Sequence, residues 1–97
     1  MKQNRILYSE CVRIYKIHES FIDSLHESGL IRIVSQDNNQ FVECDDISEL
    51  EQFIRWFYDM DINVEGIEAL HHMLSRVKSL QEELHRLQEE LRFYKSF

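Results

Sequence analysis

The sequence predicts a mainly α chain in two parts, a small helical head that carries a β-hairpin and a long C-terminal helix that pairs with another helix. Three observations carry this reading. Proline is absent and glycine stands only at Gly29 and Gly66, so helix interiors run almost unbroken. Two β-rich runs flank the turn-forming stretch "SQDNNQ", the pattern of a hairpin. From Leu70 to Tyr94 apolar residues recur in heptads, the pattern of a coiled coil. The chain has 97 residues, 43% apolar and 11% aromatic, enough for one small core and too apolar for a disordered chain.

The first helix is expected over Ser9 to Lys16, with Ser9 as N-cap and Cys11, Val12 and either Ile14 or Tyr15 as its apolar contacts. So short a helix is stable only when packed. A tight turn at Lys16 and Ile17 leads to a second helix, Glu19 to Ser28, with Phe21, Ile22 and Leu25 on one side and Gly29 placed as a left-handed C-cap. The hairpin takes Leu30 to Val34 and Phe41 to Cys44. Asp46 then caps a third helix, with Glu49 three residues on as in a capping box and an apolar face of Ile47, Leu50, Phe53 or Ile54, Phe57 and Met60.

Asn63 opens the last helix, with Ile62 and Ile67 as a hydrophobic staple. Leu70, Val77, Leu84 and Leu91 fall at one seam position of the heptad, and Met73, Leu80, Leu87 and Tyr94 at the other. A head of short helices cannot cover a stripe that long, so a second copy is the expected cover, giving a homodimer. Gln81, Gln88, Glu83 and Glu90 flank the seam and leave the orientation open. Glu82 and Arg86 are placed for an i,i+4 ion pair. The chain thus divides into a head, residues 1–62, and a dimerisation helix, residues 63–97.

Charge is unevenly spread. The net charge is −7, and residues 35–66 hold nine acids against Arg55 alone. That segment repels duplex DNA and attracts a basic partner. Glu19, Asp23 and Glu27 lie four apart and make one acidic row along the second helix. Like charges at that spacing slightly destabilise a helix, so the row reads either as a solvated face or as a surface kept for a basic partner. Trp56 and Tyr58 fall off the main apolar face of the third helix and either complete the core or anchor a partner.

No catalytic, metal or cofactor residues are expected. His71 and His72 are adjacent and point about 100° apart, unlike the i,i+4 pair of a helical metal site. His18 stands at an N-cap, and His26 and His85 have no evident cluster. Cys11 and Cys44 have no CxxC spacing and no base that sequence can place beside them, so reduced thiols in the cytoplasm are expected. Asp45 and Asp46 read as capping acids near a helix start. No apolar run approaches a membrane span, and "MKQNRILYSE" has no apolar signal core.

In the order helix, turn, helix, wing, helix, long helix, the chain resembles the MerR-like winged helix-turn-helix family of bacterial regulators. The residues that carry the resemblance are "YSECVRIYKIHESFIDSLHESGLI" and "CDDISELEQFIRWFYDMDINVEGIEALHHML". Within it, "DINVEGIEALHHML" is similar to the short-tailed chaperone-modulator branch of the CbpM type. In DNA-binding members the second helix presents arginines and tyrosine, where this chain has Ser20, Asp23 and Ser24. Their wing brings an arginine to phosphate, and the wing here has none. Their turn commonly uses glycine, where this chain has Lys16. The chaperone-modulator resemblance implies a different partner, the J domain of a DnaJ-like co-chaperone, whose basic helix engages DnaK. Glu19, Asp23, Glu27, Trp56 and Tyr58 would then form the contact. The alternative is a transcriptional regulator using Arg13, Lys16 and Arg32 on DNA, with Lys2 and Arg5 as the other nearby bases. A third reading is a dimerisation module joining unknown partners.

Overall fold

A computed structural model describes residues 4–96. Its elements run β1 (Arg5–Leu7), α1 (Tyr8–Tyr15), α2 (Glu19–Glu27), β2 (Arg32–Gln36), β3 (Asn39–Glu43), α3 (Ile47–Tyr58) and α4 (Val64–Lys95). The strands form an antiparallel sheet in the order β1-β3-β2. This is a winged helix-turn-helix head followed by a long helix, as expected.

The sheet has one strand more than expected. β1 pairs Arg5 with Glu43, Ile6 with Val42 and Leu7 with Phe41, and the Asn4 carbonyl accepts the Cys44 N–H at 3.0 Å. Three residues are too few to show a period of two, so only the pairing reveals the strand. It also moves the start of α1. The chain leaves β1 directly into the helix, Leu7 takes the N-cap position without a side-chain bond, and Ser9 lies inside the first turn instead of capping it. At the other end Lys16 adopts φ 54° and ψ 48°, the left-handed conformation that glycine tolerates and a residue with a Cβ enters at a cost of roughly 1–2 kcal/mol.

α2 ends in a Schellman turn. Gly29 has φ +79°, its N–H reaches the His26 carbonyl, and the Leu30 N–H reaches the Leu25 carbonyl at 3.0 Å. The hairpin lies two residues further along than the expected start of its first strand. Asp37 and Asn38 both have positive φ, 53° and 65°, which makes a two-residue turn. Ser35, Gln36, Asn39 and Gln40 therefore belong to the ladder. Ile31, freed from the strand, is buried in the core.

On α3, the Asp46 carboxylate accepts the Ser48 N–H at 3.0 Å. Leu50, Phe53 and Trp56 are buried. Met60, expected on the same face, is exposed. The helix stops at Tyr58, and bonds from the Met60 and Ile62 N–H groups to the Arg55 and Trp56 carbonyls turn the chain away. Around these helices Cys11, Ile17, Phe21, Ile22, Leu25, Val42, Cys44 and Ile67 complete one core.

The start of α4 belongs to this core. Ile67 is buried, and Ile62, Val64 and Leu70 pack against the cluster. Asn63 Oδ1 accepts the Gly66 N–H at 2.8 Å, and a Cβ on Gly66 would stand 2.8 Å from Ile62 Cγ2, so glycine lets the staple close. Asn63→Ala should remove about 1 kcal/mol of stability, seen as thermal unfolding about 4–8 °C lower. Arg86 pairs with Glu90 at 2.8 Å instead of the expected Glu82, since carboxylates lie one turn away on both sides of it. No described helix is long and apolar enough to cross a membrane.

Candidate functional site: the outer face of the second helix

Burial of Phe21, Ile22 and Leu25 fixes the rotation of α2 and turns Glu19, Asp23 and Glu27 outward, all three exposed. Glu27 and Glu19 stand in solvent at the two ends of the row. Asp23, between them, is tied to the head: the Tyr8 hydroxyl donates to Asp23 Oδ1 at 3.0 Å and lies 3.4 Å from the Glu19 carbonyl oxygen. Burial, then the bond to Asp23, pushes the Tyr8 hydroxyl up to about 12, so it remains a proton donor throughout the physiological range. The sequence gives no signal for this pair, because Tyr8 sits on a different helix and reaches Asp23 only after β1 and α1 have formed.

The cations near this face are mostly engaged. Arg5, Glu43 and Arg32 stand side by side on neighbouring strands. Arg5 Nη2 lies 2.8 Å from Glu43 Oε2, and Arg32 Nε lies 3.1 Å from Glu43 Oε1. Arg32 also reaches Asp45 at 3.4 Å, while Arg5 donates to Gln36 Oε1 at 2.8 Å and stands over the Phe41 ring. Arg5 first, then Arg32, holds the Glu43 carboxyl below its ordinary range. The wing therefore does carry arginine, at its base, where Arg32 opens β2, and the Glu43 carboxylate lies between Arg5 and Arg32. Arg13 is paired with Glu10 at 3.1 Å. Lys16 is exposed at the turn, and Lys2 lies outside the described residues.

The two aromatic residues expected beside the row part company. Trp56 is 6% exposed and packs beside Phe53, so it completes the core and is not free to anchor a partner. α3 is covered by α4 as well as by the head, and its buried arc is wider than its sequence stripe. Tyr58 is 39% exposed, and its hydroxyl oxygen accepts the His18 N–H at 3.0 Å. Sequence reasoning passed over Phe57, which stacks on Phe21 with ring centroids 4.3 Å apart; its place on the expected apolar face was the only signal.

Other chemistry-bearing residues pack instead of converging. His71 meets the edge of Phe53 at 5.3 Å, and among the described residues no group of three or more histidines, cysteines and acids is placed to hold a metal. Burial raises both thiols, that of Cys11 to about 11. On α4, Met73, Val77, Leu80, Leu84, Leu87, Leu91 and Tyr94 line one stripe and are 46–72% exposed, while Leu70 is half-buried against the head.

A family model described as MerR HTH family regulatory protein matches residues 6–89, from β1 far into α4. No curated protein and no solved structure matches the chain.

Proposed function

The chain belongs to the MerR HTH family of regulatory proteins, and from that premise we propose that it works as a cytoplasmic adaptor that binds and restrains a DnaJ-like co-chaperone. Its α2, the helix that would enter a DNA groove, holds the basic helix of a J domain through Glu19, Asp23 and Glu27, and so blocks the contact with DnaK. One observation carries this reading: the outer face of α2 is an exposed acidic row, while Arg5 and Arg32 of the neighbouring sheet are already held by Glu43. Carboxylates beside phosphates lose hydration against repulsion, whereas beside a basic helix they speed encounter and fix orientation. The role is one of binding, not catalysis. The apolar stripe of α4 pairs two copies, so each assembly carries two such faces.

Calorimetric titration of the full chain with the J domains of the host's DnaJ-like proteins tests this directly. Binding of one J domain per chain is expected, stronger at low salt than at physiological salt. Asp23→Lys together with Glu27→Lys should weaken it at least about tenfold. Glu27→Lys alone should move in the same direction, and it leaves the Tyr8 bond intact. Binding that ignores both reversals would overturn the reading. The family match also keeps operator binding in view, through Lys16, Arg13 and Arg32; retention of a duplex with a steep inverse dependence on salt would favour that function instead.

A further inference from the structure

Next to the acidic row, a cleft of about 160 Å³ opens between the start of α2, the end of α3 and the start of α4. It is too small for a typical small-molecule site of roughly 300–1,000 Å³. Its walls form an aromatic corner. Phe21 and Phe57 lie 31° from parallel and make one wall. Tyr58 stands across them at 77° to Phe21 and 73° to Phe57, held upright by the His18 N–H on its hydroxyl. Val64 closes the far side.

The surroundings select the charge of the occupant. Among the described residues no lysine or arginine lines the cleft, and Glu19, Asp59 and Glu65, each adjacent in sequence to a lining residue, are exposed carboxylates. His18 at the N-cap of α2 and Val64 at the start of α4 line the cleft, so two helix N-termini, each worth roughly half a positive charge, oppose them. Glu19 and Glu65 occupy the first turns of those same helices, and Asn63 caps α4, so the balance is negative. Ring faces add to it, since they attract a cation brought within about 6 Å.

We infer that this cleft is a socket for one arginine or lysine side chain of a protein partner, the stem lying along Phe57 and Val64 and the charged head meeting Tyr58 and the carboxylates. The partner is the basic helix of the proposed function, on which this inference rests. The acidic row then orients that helix, and the socket supplies the desolvated anchor from which most of the affinity of an interface comes.

Two arms test it separately. In the first, N-acetyl-arginine amide is titrated into the full chain while aromatic resonances are followed by NMR. Shifts at Phe57 and Tyr58, saturating on the order of 10 mM as so small a ligand allows, are expected. Equal shifts from N-acetyl-leucine amide would mean an apolar occupant and overturn the socket. In the second arm J-domain affinity is measured for Tyr58→Leu and Tyr58→Phe. The leucine variant should bind about tenfold more weakly, and the phenylalanine variant, which keeps the ring face and loses the hydroxyl, close to normally. Equal losses in both variants would overturn the socket, as would normal binding by Tyr58→Leu together with silent ring resonances; the acidic row would survive either result. Ring shifts with arginine amide in a protein that binds no J domain would leave the socket standing and remove the co-chaperone.

Discussion

If two copies pair through the α4 stripe as proposed, Leu84→Asp is expected to convert that dimer to a monomer while the head melts unchanged. Leu84 is 57% exposed on one chain, in the middle of the stripe from Met73 to Tyr94, and nothing in its own head reaches it. A leucine gains roughly 1.5–3 kcal/mol when fully buried, and in a symmetric pair each stripe residue is buried twice. If two copies run antiparallel about a dyad beside Glu82, Leu84 meets the partner's Leu80, Val77 meets Leu87, Met73 meets Leu91 and Leu70 meets Tyr94. If they run parallel, each residue meets its own copy. An aspartate at this place puts two carboxylates into the seam in either arrangement, at a cost of several kcal/mol, so the dimer should weaken at least about a thousandfold. Sedimentation equilibrium reads this directly. A Leu84→Asp protein that remains a dimer would mean that the stripe is not the contact. Disulfide trapping then separates the orientations: Val77→Cys cross-links to itself only in a parallel pair, and in an antiparallel pair it needs Leu87→Cys in the other chain.

Much of this architecture is legible in sequence, for a physical reason. Signals that depend on a few neighbouring residues survive folding unchanged. Gly29 takes its left-handed conformation, Asn63 and Asp46 cap the helices they precede, and the heptad residues of α4 from Met73 to Tyr94 lie exposed along one stripe. The added strand and the early start of α1 depend on parts of the chain far apart in sequence. β1 exists through its pairing with β3, and with it comes the early start of α1. Trp56, whose place off the main apolar face left core and partner contact both open, belongs to the core.

The candidate site divides in the same way. The acidic row follows from i,i+4 spacing plus the burial of Phe21, Ile22 and Leu25, and was readable in advance. The Tyr8–Asp23 bond and the clamp of Arg5 and Arg32 on Glu43 join residues separated by as many as 38 positions, beyond any local pattern. That clamp alters the functional argument, because counting basic residues in the sequence overstates the charge left for phosphate.

Phe53→Ala should have the opposite effect to Leu84→Asp: it should unfold the head and leave the dimer. Phe53 has no exposed surface and packs where α3 meets α4, beside Trp56 and His71 at ring distances of 6.2 and 5.3 Å. Removing a fully buried phenylalanine costs roughly 3–5 kcal/mol, because the cavity collapses only in part. A head of this size has a total stability of roughly 3–10 kcal/mol, so the loss takes much or all of it. The acidic row depends on the same core, since Phe21, Ile22 and Leu25 hold the rotation of α2, and the J-domain binding proposed for that row should disappear with it. The stripe from Val77 to Leu91 touches none of these residues and should keep two chains together. Circular dichroism should show the α4 helix persisting after the head has melted, and sedimentation should still report a dimer. Loss of both at once would mean that head and helix fold as one cooperative unit, with Val64, Ile67 and Leu70, the α4 residues packed with the head core, carrying the coupling between them.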